Sequence, residues 1–300
     1  MLRRLLIFAL LLCPSSAWAE SFTPDANCTL PTSLMAYFKL DEASGTRVDS
    51  KSTNDLTDNN TVTQAVGKVA NAAQFTSANS EYLSIGDTLD LSTGDIDFTI
   101  SGWVYPDSHP GAGADRYVVA KGDIGDSATA EYFVALRRDG GDTQTTLVLG
   151  VRATTVGTTV LSTATWYFFV AWHDSVNNQL GIQVNGGTVE TVAFSTGSPD
   201  TACSFTIGVG NPSGTGCGGT VAGFLNGRTD EVGFSKKVFT AQERTDLYNG
   251  GSGNTYDAAG TCTMSRVMLI ATLLPVREKP RGGPGSIGRA LAHCGDFRWN

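Results

Sequence analysis

No stretch of this chain is apolar for long enough to cross a bilayer as a helix, which takes about 20 residues. The runs Leu5 to Leu12 and Val267 to Leu274 both stop far short. Histidine is scarce, with 3 in 300 residues, and no His-Glu-x-x-His motif or zinc-type Cys/His spacing occurs. His109 and His173 have no partner motif, and no Gly-x-Ser-x-Gly elbow is present to expose a nucleophilic serine. The Gly-rich run Gly208 to Gly219 contains Gly-x-Gly but neither a Lys nor a following helical pattern, which argues against a phosphate loop. Positive charge is also short. Between residues 20 and 260, 13 Lys and Arg stand against 27 Asp and Glu, a formal net charge of −14. Nucleic-acid binding relies on Lys and Arg meeting phosphates, so this balance argues against it. Of those acids 20 are Asp, a bias that suits turns and hard-oxygen loops.

What is present starts with an export pattern. Arg3 and Arg4 precede the apolar run, and Ala17-Trp18-Ala19 offers small residues ahead of Glu20, which predicts a signal peptide over 1–19. A secreted or extracytoplasmic protein without a transmembrane segment follows from that. In such a compartment cysteines favour disulfides. Cys28 and Cys262 flank the expected domain, 20–262, and a bond between them would tie its ends. Cys203 and Cys217 bracket the Gly-rich segment and would close a local loop, leaving Cys294 unpaired. Residues 263–300 change character, with six Lys and Arg against two acids and Gly-Gly-Pro-Gly at 282–285, and read as a basic, disordered tail, either a true extension or the product of a shifted reading frame.

Between these ends runs a series of short β-branched and aromatic segments separated by Gly, Asp and Asn. Strands are expected near 34–40, 72–76, 81–86, 97–105, 117–121, 132–138, 146–152, 157–162, 166–173, 179–184, 188–194, 204–209 and 222–235. Asn185-Gly186-Gly187 predicts a type I′ hairpin, because Asn and Gly tolerate positive φ, and Asp139-Gly140-Gly141 reads the same way. Thr240-Ala-Gln-Glu243 is a capping box that starts one short helix, with Leu247 and Tyr248 placed to pack and Gly250 to end it. The fold class is therefore all-β: a two-sheet antiparallel jelly-roll sandwich with one short C-terminal helix.

Several of these pieces, taken in order, resemble a known family. Tyr37-Phe-Lys-Leu-Asp41-Glu-Ala-Ser-Gly45 leads into the polar loop Asp49 to Leu56. Gly67 to Phe75 and Tyr82-Leu-Ser-Ile85 follow, then Asp97-Phe-Thr-Ile-Ser-Gly-Trp103 and Thr165 to Asp174. The hairpin ending at Gly186, Leu225 to Phe234, and Phe239 to Glu243 complete the run. Their order and spacing over about 34–250 resemble the LamG-like jellyroll of the concanavalin A-like lectin/glucanase superfamily. That resemblance implies a structural calcium held by the Asp-rich loop and the late Asp-Glu-Val strand, which by position selects Asp49, Asn54, Asp55 and Asp230. The loop offers six oxygen-bearing side chains in seven residues, the kind calcium takes. Lys51-Ser52-Thr53 stands where relatives often carry Gly. An ordinary polar turn is the other reading.

The resemblance leaves two functions in play, holding a glycan or cleaving one. Hydrolases of this superfamily commonly carry Glu-x-Asp-x-x-Glu on one strand, and this chain has no such triplet. Asp95 and Asp97 read as turn residues, Glu81 and Glu131 are isolated, and strand alternation sends Asp230 and Glu231 to opposite faces. The expectation is a non-catalytic recognition module, carbohydrate-binding in the lectin manner, with protein adhesion or a spacer role on a cell surface as the alternative and glycoside hydrolysis behind both. The partner is then a glycan or a surface protein. The resemblance places Trp103, Trp166 and Trp172 on core strands, so packing is their expected role. Loop position selects Tyr105, Asp115, Tyr117, Asn211 and Phe224 as ligand contacts.

Overall fold

The computed structural model describes residues 33–211 and 216–256. The expected signal peptide, the Cys28–Cys262 bond and the basic tail lie outside them. Fifteen strands are present: β1 (Leu34–Phe38), β2 (Thr57–Asn59), β3 (Thr63–Val66), β4 (Asn71–Phe75), β5 (Tyr82–Ile85), β6 (Phe98–Pro106), β7 (Asp115–Gly122), β8 (Ala130–Arg138), β9 (Thr145–Val151), β10 (Thr154–Val156), β11 (Tyr167–Asp174), β12 (Gln179–Val184), β13 (Val189–Ala193), β14 (Phe205–Ile207) and β15 (Gly227–Ser235). One sheet runs β13-β12-β11-β6-β15-β4-β3, with β1 paired to the far half of β15. The other runs β10-β9-β8-β7-β14-β5-β2. All pairings are antiparallel, and the architecture is the jelly-roll sandwich.

The core forms where the inward residues of both sheets meet. Ile100, Val104, Phe169, Ala171 and Phe234 of the first sheet join Val119, Tyr132, Val134, Leu147, Phe205 and Ile207 of the second in one buried cluster. Phe98 lies 5.5 Å from the Tyr132 ring and Phe38 lies 5.8 Å from Phe205, so aromatic rings bridge the layers. Period-2 alternation accounts for who faces in: Val104 enters this core while its neighbours Trp103 and Tyr105 face outward.

Trp103 and Trp172 are therefore buried, but not between the sheets. They join Tyr37, Phe168, Val170 and Tyr256 on the outer face of the first sheet, beneath Phe239 and Leu247. Trp166 precedes β11 and is half-buried against Tyr105. The cover is the expected helix, α1 (Ala241–Tyr248). The Glu243 amide donates to Thr240 Oγ1 at 3.3 Å, and the Thr240 amide donates to Glu243 Oε2 at 2.8 Å, completing the capping box. Asn249 at φ +47° ends the helix one residue before the expected Gly250. Tyr248 then stacks on Trp103 and Phe168, at 6.0 and 5.8 Å.

The structure departs from the strand pattern at named places. β2, β3 and β10 have polar or half-exposed sequences with little hydrophobic signal, and each lies at a sheet edge, where one side has no pairing partner among the described residues. Residues 157–162 are not a strand. Gly157 at φ +133° crosses so close to β9 that a Cβ would lie 2.1 Å from the Leu147 carbonyl oxygen. The Asn185–Gly186 hairpin has the expected positive φ at both residues, +50° and +64°. The Asp139 turn does not: its carboxylate accepts the amides of Thr143 and Gln144, spreading the connection over six residues, 139–144.

Candidate functional site

On the outer face of the second sheet, Ser84 of β5, Thr206 of β14 and Ala120 of β7 stand in register across three adjacent strands. Their neighbours Leu83, Val119, Phe205 and Ile207 point into the core, so alternation leaves a small-residue floor facing out. Tyr82 rises beside it, two residues before Ser84 on the same face. The Cys203–Cys217 disulfide, whose Cα atoms are 4.6 Å apart, holds the loop after β14 against the floor. Tyr82, Ser84, Ala120, Gly122, Cys203, Ser204, Thr206, Asn211, Cys217, Gly219 and Val221 line the resulting shallow pocket of about 100 Å³.

Internal hydrogen bonds preorganise these groups. Asn59 Nδ2 donates to Ser84 Oγ at 3.0 Å. The Thr206 hydroxyl donates to the carbonyls of Ala120 and Val209. Asn211 Nδ2 donates to the Gly216 carbonyl at 3.0 Å, and its own carbonyl accepts the Ile124 amide at 2.8 Å. Asp123, fully buried beside the pocket, accepts the amides of Gly125 and Gly216. Gly210 and Gly223 lie against the Tyr117 ring so closely that a Cβ on either would sit 2.6 Å from it.

The five expected ligand contacts separate accordingly. Asn211 lines the pocket. Phe224 sits 6.2 Å from the Tyr82 ring and extends the aromatic rim. Tyr117 is enclosed by Phe133, Gly210 and Gly223 and supports the wall from behind, and burial pushes its phenol up to about 12. Asp115 is committed to a bidentate pair with Arg137, at 2.9 and 2.7 Å. Tyr105 is on the first sheet, facing away from the core between Trp166 and the Arg228 guanidinium. Tyr82, Ser84, Ala120 and Thr206 were not singled out from the sequence. Their signal was the alternation in Tyr82-Leu-Ser-Ile85 and Phe205-Thr-Ile207, which marks outward residues without saying that a loop will fold over them.

The expected calcium ligands do not assemble. Asp49, Asn54 and Asp55 knit their own turn: Asp49 accepts the amides of Tyr37, Lys51 and Asn54 and the Asn54 side chain, and Asp55 accepts the Asp49 amide. Asp230 accepts the amides of Lys68 and Val69 at 2.7 and 2.9 Å. Among the described residues no group of three His, Cys, Asp or Glu could hold a metal ion. Asp49 thus spends both of its oxygens inside its own turn, whereas at Asp230 both amides meet Oδ2 and the buried Oδ1 has no hydrogen-bond partner.

The acids are structural in their placement. Glu131 is buried with Lys121 at 2.7 Å and also accepts from Thr93 and Thr201. Glu81 accepts from Thr76 and Asn79, and Asp97 from Ser175. Asp95 is exposed, 3.8 Å from buried His173. Asp230 and Glu231 do not take opposite faces. β15 bulges between Asp230 and Gly233, Glu231 turns to φ +53°, and Val232 resumes the inward alternation. Both carboxyls are thus buried on the outer face of the first sheet, Glu231 accepting from the Tyr37 hydroxyl. Burial, reinforced by mutual repulsion at Glu231, pushes Asp230 up to about 7 and Glu231 up to about 8.

Residues 77–243 match the family described as the concanavalin A-like lectin/glucanases superfamily. Among solved structures, the chain is similar to the binding domain of Paraclostridial Mosquitocidal Protein 1, with TM-score 0.55 and 13% identity over 74% of this chain and 53% of that one. It is similar to the binding domain of botulinum neurotoxin serotype G, with TM-score 0.51 and 13% identity over 72% and 50%. Domain 4 of AbnA, an extracellular arabinanase of Geobacillus stearothermophilus solved with arabinotriose, matches at TM-score 0.48 and 19% identity over 71% and 97%. The chain spans about half the length of the two toxin binding domains. No curated protein matches it.

Proposed function

Because the chain belongs to the concanavalin A-like lectin/glucanase superfamily, we propose that it is a non-catalytic recognition module that holds a glycan in the pocket over β5, β14 and β7. The observation that carries this reading is the pocket's chemistry. An aromatic ring, three hydroxyl-bearing side chains and an amide converge on a floor of small residues. Sugars present an apolar C–H face and a ring of hydroxyls, and a few placed polar groups beside an apolar surface meet both.

Glycoside hydrolysis needs two carboxyls flanking the bond, roughly 5–10 Å apart. No acid stands among the described lining residues, and the acids singled out from the sequence lie elsewhere. The two toxin domains of the same fold are themselves named binding domains, which supports a binding role at the level of architecture. The disulfide suits an oxidising, extracytoplasmic setting, and no described helix is long and apolar enough to cross a membrane. Immobilised protein on a glycan array tests the reading. Glycan hits that disappear in Tyr82→Ala are expected, and a blank array would move the role toward protein adhesion.

A further inference from the structure

We infer that the pocket selects a neutral sugar ring and rejects acidic ones, a specificity that rests on the glycan-binding reading above. None of the eleven described lining residues is Asp, Glu, Lys, Arg or His. Cys203, Ser204, Asn211 and Cys217, which form one wall, are all uncharged. The nearby charges are turned away. Lys121, between the lining residues Ala120 and Gly122, points to the opposite side of its strand. There it meets Glu131 at 2.7 Å, Asp87 at 3.0 Å and the Thr201 carbonyl at 2.6 Å. Asp123 is fully buried and spends its oxygens on the amides of Gly125 and Gly216.

A carboxylate, sulfate or phosphate on a sugar would therefore enter the pocket and meet no cation. Desolvating an ion without a partner is costly, whereas a neutral hydroxyl needs only a neutral donor or acceptor. The field outside adds to the selection. The whole chain carries a formal net charge of −8, which repels anions before they reach the site. A cationic sugar finds no carboxylate in the lining to pair with. Tyr82 offers the apolar face, with Ser84, Ser204 and Asn211 along the polar edge.

The test uses the full chain on an array of neutral, sialylated, uronic-acid and sulfated glycans, at low and high salt. Calorimetric titration of the best hit follows for the wild type, Tyr82→Ala and Ser84→Lys, each checked for a native melting transition. Neutral hits whose affinity changes less than about twofold with salt, and falls about tenfold or more in Tyr82→Ala, are expected. Ser84→Lys places a cation in the pocket and shifts preference toward acidic glycans. Hits confined to acidic glycans, weakening steeply with salt, would overturn the specificity while leaving glycan binding intact. Neutral hits untouched by Tyr82→Ala in a folded protein would overturn it by moving the site. A blank array removes the parent reading and the specificity with it.

Discussion

Glu231 occupies a left-handed conformation inside a strand, which costs a non-glycine residue on the order of 1 kcal/mol or more, and it places a carboxyl beside buried Asp230. Tyr37, Tyr256, Asp41, Lys39 and Lys68 surround the pair. Desolvation raises both acids, to about 7 and about 8, from ordinary values of 3.8 and 4.5. A carboxyl whose folded value exceeds its unfolded one binds its proton more tightly when folded. The stability it supplies is full below about pH 4 and is lost as pH rises through about 7 to 8. Thermal melts should therefore show Tm falling from pH 5 to pH 8, and Glu231→Gln should flatten that slope. An unchanged slope in the variant would show that other groups set the pH response. Sequence alone could not show this pair, because alternation is the default for consecutive strand residues and a bulge leaves no mark in residue type. Asp230 itself was reached only by its position in the family resemblance, which carries no information about its burial.

At the scale of elements, legibility followed local chemistry. The capping box of α1 and the Asn185–Gly186 turn could be read because each is complete within a few residues and has few alternatives. Edge strands such as β3, Thr-Gln-Ala-Val, could not, because half-exposed pairing requires no hydrophobic pattern. The loop from β14 to β15 stands between these cases. Its cysteines predicted a closure, and the structure has that bond, but the pocket beneath depends on β5, more than a hundred residues earlier. The bond closes a separation of 14 residues, for which the entropy of the unfolded loop gives about 3 kcal/mol. Reduction should lower Tm by about 5–10 °C while leaving the far-UV strand signal intact below the transition, since β14 keeps both of its partners. Glycan affinity should fall in the same sample, because Asn211 and Cys217 leave the wall. Equal affinity before and after reduction would separate the pocket from the loop that forms it.

Across the whole molecule, the two outer faces have been put to different uses. The first sheet hides its aromatic residues beneath α1 and Tyr256, and the second leaves a polar, uncharged hollow beneath a disulfide-held loop. Fold membership explains why both sheets exist. It does not explain why Asp49 turns inward to four N–H donors, and that local choice decides how the molecule responds to calcium. A carboxylate accepting several backbone amides is already compensated electrostatically, and stripping those donors to seat a cation would return little. Tm measured with excess calcium and with chelator should therefore agree within about 1 °C, since a ligand bound at a hundred times its Kd would add about 2.7 kcal/mol and several degrees. A calcium-dependent rise of that size would require the Asp49 turn to give up amide donors, with Asp230 contributing its unpartnered Oδ1. Tyr37, hydrogen-bonded both to Asp49 and to Glu231, would then transmit the change to the buried acids and shift their pH response along with the melting point.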